Sequence, residues 1–433
     1  MTCARASSIA RTPGTGHCGI HRSLRRWLAD ELPTLRHAIR ASATHHQTDR
    51  YRKHFTTVGH VSMLLFHGLT ASPSLRRSHA SFAHCPPLVA LSGMPLDPDG
   101  DWPGVSYPQF AASNTTRSAQ VLANLIPSLL ERVRHLAPLP TVPPDLRVLD
   151  GTYLRLSLDL AGWVTKSQQR VGLQVSYVPA ADLPEHLLIS KTHINDYVAM
   201  DRAILEDEAY LASLTGHTLA FDLGYYSHDR FRQLLEAGVH LVTRLHPTAS
   251  FVVVADLPIQ SSLSGLPAGQ IKVQRDQRIT LGSPNNRRCH PLAQMRLVTA
   301  AVAPRRPARR SKRPRNAKRH ARYRKPVVYQ IVTDRLDLEA CEVVQLYLWR
   351  WTIELFFRWL KRTLGLIHLL GYSQNAVDLS IWLAIIVHLL MRLAASAIGL
   401  VRSTLALLAA LQWVLASHLP PPSPHLVQHE LSP

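Results

Sequence analysis

Between residues 146 and 244, short apolar runs rich in β-type residues alternate with helical segments. RVLDGTYLRLSL, VGLQVSYVP, TLAFDLGYY and HLVTRL read as strands. Residues 184–215 read as helical, and HDRFRQLLEAG as a helix closed by Gly238. A chain in which strands and helices take turns in this way buries its apolar surface best by laying helices on a sheet. The predicted class is therefore α/β.

Around this segment the chain changes character several times. Residues 1–50 show no sustained period and are expected to form a poorly ordered basic N-terminus, with Arg5, Arg11, Arg22, Arg25 and Arg26 and no acid in the first 28 positions. Residues 51–140 read as a helical region broken by a Pro- and Gly-rich stretch at 85–104. Its last helix is predicted to start near Ser113 or Asn114 and to kink at Pro127. The α/β segment fills 145–249, and a β-rich insertion occupies 250–325. The end of that insertion, residues 304–325, carries twelve Lys and Arg and no acid. A strand and a long helix from about Leu336 to Leu364 complete the core at 326–366, followed by C-terminal helices at 367–418 and a tail at 419–433. At 433 residues the chain holds two or three domains.

Charge narrows the function. A net charge of +20 makes a polyanion the first partner to consider and an anionic membrane surface the second. The most apolar stretch, Ile381 to Leu415, is interrupted by His388, Arg392 and Arg402, so it reads as buried helices and no membrane span is expected. The five scattered cysteines contain no Cys-x-x-Cys pair, which excludes a disulfide framework and a zinc ribbon and fits a reducing cytoplasm.

The sharpest signal lies in the 336–364 helix. Tyr347, Arg350, Glu354 and Lys361 fall within an arc of roughly 60° at about 100° per residue. Leu346, Ile353, Phe357, Leu360 and Leu364 form a neighbouring apolar stripe. Taken alone, the polar row can be a surface stripe with an Arg350–Glu354 ion pair of a few tenths of a kcal/mol. Two aspartates change the weighting. Asp150 ends the run RVLD and Asp222 ends TLAFD, and an acid at the C-terminal end of a strand stands where α/β sheets bind ligands. Each alone can be a turn or cap residue. Together with Glu354, they are three carboxylates able to hold two divalent cations, and Mg2+ prefers such oxygen donors.

The segment YLWRWTIELFFRWLK matches Tyr-(2)-Arg-(3)-Glu-(6)-Lys without a gap, and so resembles the signature of bacterial insertion-sequence transposases of the Asp-Asp-Glu class, the insertion-sequence-four family. RVLDGT resembles that family's first-Asp motif, and LAFDLGYYS with LVTRL its second. The resemblance covers about residues 51–400. It implies an RNase H-like catalytic core (a mixed sheet with flanking helices), a β-rich insertion, a helical N-terminal DNA-binding region and a helical C-terminus. It further implies that Asp150, Asp222 and Glu354 are the catalytic triad holding two ions of Mg2+ or Mn2+. Tyr347, Arg350, Lys361 and Arg244 are implied to contact DNA. From its charge, the basic tract with Arg309, Arg310, Lys312 and Arg313 is expected to add DNA affinity without sequence choice. The implied partners are transposon-end inverted-repeat DNA and target DNA, bound by a homodimer in the synaptic complex of a bacterial, nucleoid-associated, cytoplasmic enzyme. The alternatives are an inactive, domesticated DNA-binding derivative and a basic RNA- or membrane-associated protein.

Overall fold

The computed structural model describes residues 17–94, 104–139, 141–156, 163, 170–191, 194–259, 271–282, 291–303, 326–366, 368–399 and 404–415. The chain divides into two compact units, residues 1–136 with 359–433 and residues 137–358.

The first unit is helical. Its opening helix, His17–His45, corrects the expectation of poor order for those residues; residues 1–16 lie outside the described residues. Leu24, Leu28, Leu35, Ile39 and Ala43 line one face of this helix and are all buried. Their period is hidden in the sequence because Glu31 falls on the same stripe; the fold buries Glu31 against the guanidinium of Arg132 at 2.5 Å. The following helix, Thr57–Leu69, is capped by Thr56 and buried along its whole length. The expected Pro-kinked helix is instead three pieces, Tyr107–Thr116, Gln120–Ala123 and Ile126–Arg134. Pro127 sits in the first turn of the last piece, where its missing N–H costs nothing, so it starts a helix rather than bending one. Asn114 and Arg117 fasten the unit internally. Asn114 pairs with buried His60 at 2.8 Å and donates to the Leu370 carbonyl, and Arg117 donates to the carbonyls of Phe55 and Thr56. The helix Gln374–Ala397 is long and apolar enough to cross a membrane, but most of its length is buried inside the protein. The helix Thr404–Leu415 follows it.

The second unit is built on one nine-stranded sheet. Its strands are β1 (Leu146–Arg155), β2 (Arg170–Val178), β3 (Leu183–Ser190), β4 (Thr218–Phe221), β5 (His240–Arg244), β6 (Phe251–Asp256), β7 (Ile271–Leu281), β8 (Leu292–Val302) and β9 (Val327–Thr333). The spatial order is β3-β2-β1-β4-β5-β9-β8-β7-β6. β1, β4 and β5 run parallel, and the other neighbours pair antiparallel. β3 corrects the helical reading of 184–215. LPEHLLIS carries no strand alternation of its own, and pairing with the almost wholly buried β2 decides its conformation. The β-rich insertion continues the same sheet through β9, which bonds to β5 on one side and β8 on the other. The tract 304–325 lies outside the described residues.

Helices cover the central strands. Residues of Asp196–Met200, Glu208–Ser213 and His228–Glu236 pack with Leu149, Phe221 and Leu241 in one apolar cluster. The helix Ala340–Trp349 lies against β4, β5, β7, β8 and β9, and Trp351–Arg358 against β1. Glu339 opens the former with a capping box shared with Glu342. Its first turn is anchored by Arg296, which pairs with buried Asp276 at 2.7 Å and donates to the carbonyls of Arg335 and Leu338.

Candidate active site

Two adjacent parallel strands deliver the aspartates. The β1–β4 ladder ends at the pair Leu149 and Phe221. Asp150 and Asp222 are the next residues on the two strands, at the carboxyl edge of the parallel sheet. β1 itself runs on to Arg155 against β2, so Asp150 stands within a strand and not at its end. This removes the turn-cap reading of Asp150; its Oδ1 accepts from the N–H of Gly151 at 2.8 Å. Asp222 does open a short 3-10 turn, Leu223–Tyr225, but its carboxylate makes no capping bond. Its charge is left for other partners.

The third carboxylate arrives on a helix that is less regular than the spacing predicts. The expected continuous helix of 336–364 begins at Ala340, steps at Arg350 and loosens into a π-turn at Trp359–Thr363. At the step, Arg350 N–H bonds to Tyr347 C=O and Ile353 N–H to Arg350 C=O, three residues apart instead of four. The turn tightens there, so positions on either side no longer obey one uniform wheel. Tyr347 and Arg350 are consequently buried rather than set along a surface stripe.

Arg350 joins the acids. Its Nη1 donates to Asp150 Oδ2 at 3.2 Å and its Nη2 to Glu354 Oε1 at 3.0 Å. The Tyr347 hydroxyl donates to Asp222 Oδ1 at 3.3 Å, and Arg244 Nη2 lies 3.6 Å from the same oxygen. Burial opposes the charge of Arg350, but Asp222, Tyr347, Asp150 and Glu354 together hold its pKa above the ordinary value. Asp150 moves the other way from a normal acid. Desolvation raises its pKa from 3.8 to about 6; the Gly151 N–H and Arg350 pull it down, and the charges of Asp222 and Glu354 push it up. Three carboxylates thus feel one another across a single guanidinium.

The donor set fits a hard divalent cation by chemistry: the carboxylates offer oxygen donors only, and a cation would offset the cost of charging the desolvated Asp150. Among the described residues no group of three such side chains converges to hold an ion as placed, because the Arg350 guanidinium lies between Asp150 and Glu354. Arg350 is the cation of the cluster in this arrangement.

The transposase DDE domain family matches residues 142–390, more than half the chain and the whole stretch that carries these acids. The chain belongs to the DDE transposase family. This transposase is 28% identical over 341 residues to a Sinorhizobium fredii protein named as a transposase, y4zB, covering 75% of this chain and 84% of that one. It is 25% identical over 254 residues to a Geobacillus stearothermophilus protein named as a transposase for insertion sequence element IS5377, covering 58% of this chain and 56% of that one. Its activity is DNA transposition.

Of the residues singled out in the sequence, the transposase brings Asp150, Asp222, Glu354, Tyr347, Arg350 and Arg244 into one cluster. Lys361 belongs to the helical unit, where it stands half-buried in the π-turn with its pKa lowered by burial. Arg309, Arg310, Lys312 and Arg313 lie outside the described residues. Sequence reasoning missed Gln174 and Tyr225, both buried beside the aspartates. One signal was available: Gln174 is the polar residue at the centre of the apolar strand RVGLQVSYV, and all of β2 after Arg170 is buried.

Proposed function

We propose that Asp150, Asp222 and Glu354 are the catalytic carboxylates of a cut-and-paste transposase. The observation that carries the reading is the pair of acids just beyond the last pair of the parallel β1–β4 ladder, with Asp150 linked through Arg350 to an acid on a following helix. The order β3-β2-β1-β4-β5, with β1, β4 and β5 parallel, supports an RNase H-like core extended by the β6–β9 insertion. The spacing of Tyr347, Arg350, Glu354 and Lys361 supports the insertion-sequence-four type.

The three carboxylates would hold two Mg2+ or Mn2+ ions, which when bound supply Lewis-acid activation of water and stabilise the leaving oxygen. The rest of the work falls to the chain. Arg350 neutralises Asp150 and Glu354 and carries a planar fork that matches a DNA phosphate. Tyr347 holds the Asp222 carboxylate by its hydroxyl, and Arg244 faces the same carboxylate from the end of β5. Lys361 adds a further phosphate contact. Hydrolysis at the transposon end frees a 3′-hydroxyl, and that hydroxyl attacks a target phosphodiester in the same site, breaking its P–O3′ bond and releasing the target strand's 3′-hydroxyl. The basic tract and the helical unit bind end and target DNA, and two copies pair the ends.

The test uses the full chain and a duplex carrying the inverted repeats that flank its reading frame. Strand cleavage at the repeat terminus is expected with Mg2+ or Mn2+ and none with a chelator. Cleavage that is unchanged by chelation overturns the metal-dependent reading, and equal cleavage of random duplex overturns the end-specific one.

A further inference from the structure

Beneath the acids lies a polar pair that stability alone does not explain. Gln174, on β2, faces Gly151 of β1 across the antiparallel ladder. Side chains alternate along a strand, so the Gln174 amide occupies the sheet face opposite the Asp150 carboxylate. It fills the place of the missing Gly151 side chain: a Cβ there would stand 2.3 Å from Gln174 Nε2 and 2.4 Å from Oε1. Any side chain at 151 would displace the Gln174 amide from this place. Gln174 Oε1 accepts from the Tyr225 hydroxyl at 2.8 Å, with both residues 1% exposed. Tyr225 closes the turn that Asp222 opens, its N–H bonding to the Asp222 carbonyl at 3.1 Å. The bond therefore runs from the residue opposite Gly151, the neighbour of Asp150, to the turn that carries Asp222.

The pair is costly for the core. Among the described residues Gln174 Nε2 is buried without a hydrogen-bond partner, and a buried unmade donor destabilises where two apolar side chains of the same shape would not. Departures of this kind from good packing collect at functional sites. The Tyr225 phenol is pushed well above its ordinary pKa by burial first and then by Asp150, Asp196 and Asp222, so it remains a hydrogen-bond donor.

We propose that the Gln174–Tyr225 hydrogen bond is a strut that sets the spacing between Asp150 and Asp222. Gln174 and Tyr225 are positioning residues, since they lie behind the carboxylates and touch no substrate. The proposal rests on the catalytic role assigned to those two acids.

Two variants of the full chain test it, read by thermal midpoint, by Mn2+ binding to the DNA-free protein followed by electron paramagnetic resonance, and by strand cleavage. Tyr225→Phe removes one oxygen and strands the Gln174 acceptor, so the midpoint falls, Mn2+ binds more weakly and cleavage slows. The double variant Gln174→Met with Tyr225→Phe replaces the bond by an apolar pair. Its midpoint recovers toward wild type, while Mn2+ affinity stays weakened and cleavage stays slower on the order of tenfold to a hundredfold, the scale of a misplaced reacting group. A merely structural bond behaves differently: all three readouts recover together in the double variant, and that result overturns the strut. Wild-type Mn2+ binding and cleavage in Tyr225→Phe overturn it as well. Asp150→Asn separates this from the underlying assignment. If Asp150→Asn cleaves like wild type, the catalytic reading fails; if it is inactive while both Tyr225 variants match wild type, the strut alone fails.

Discussion

Asp150 carries a testable cost at the scale of one residue. Its folded-state pKa of about 6 exceeds the ordinary 3.8, so the folded protein holds this proton more tightly than the unfolded chain does. Stability from this group is therefore full below pH 4 and is lost as pH rises toward 6. In buffer free of divalent ions, Asp150→Asn should be more stable than wild type by about 2–3 kcal/mol at pH 7.5, at about 1.4 kcal/mol per pKa unit, and equal to it near pH 4. Urea denaturation at the two pH values checks this; a variant no more stable at pH 7.5 contradicts a carboxylate whose charge is penalised chiefly by burial. The acids themselves were legible in the sequence, because an Asp closing an apolar run and a fixed Tyr-Arg-Glu spacing survive without coordinates. The burial of Arg350 and Tyr347 was not. It depends on a tightened turn at Arg350 that an ideal helical wheel cannot anticipate. Gln174 and Tyr225 were hidden for another reason: their meeting is set by the register of β2 on β1, 51 positions apart in the chain.

Elements were legible where local pattern and tertiary need agree. β1, β4, β5, the helix His228–Glu236 and β9 follow their sequence patterns, and burial of the long apolar C-terminal helix follows from its charges and histidine. The helix His17–His45 escaped because a buried Glu31 interrupts its apolar stripe, and β3 because its conformation is imposed by its partner. The helix that bears Tyr347 depends on a buried ion pair as well as on its capping box. Asp276 and Arg296 are 3% and 4% exposed, and Arg296 also holds the carbonyls of Arg335 and Leu338 just before that helix. Removing one partner leaves the other charge buried and alone, which costs about 3–5 kcal/mol. Asp276→Asn should lower stability by that amount and slow cleavage through the misplaced helix. A loss below about 1 kcal/mol, the range of exposed pairs, would show that the pair does not anchor it.

At the scale of the whole molecule, a net charge of +20 makes DNA affinity depend on salt. The twelve cations of residues 304–325 repel one another and cannot be packed unpaired into a core. On the reading proposed above their partners are phosphates, which carry no base information. Replacing Arg309, Arg310, Lys312 and Arg313 by Ala should weaken binding to end and random duplex by similar factors. The slope of log affinity against log salt should become shallower by about 0.9 for each lost contact. Salt titrations on both duplexes decide this, and a loss confined to end DNA would mean that the tract reads sequence. The central claim, that binding and chemistry reside in separable parts with the chemistry in three carboxylates, is tested most directly at Glu354. This side chain is about one-third exposed and pairs with Arg350 alone among the described contacts, so Glu354→Gln keeps its volume and removes its charge with little effect on folding. Strand cleavage and end binding by this variant should be measured in one Mg2+-containing reaction series beside wild type. End binding within a few-fold of wild type and no detectable cleavage are expected; cleavage near the wild-type rate would overturn the assignment of the three carboxylates.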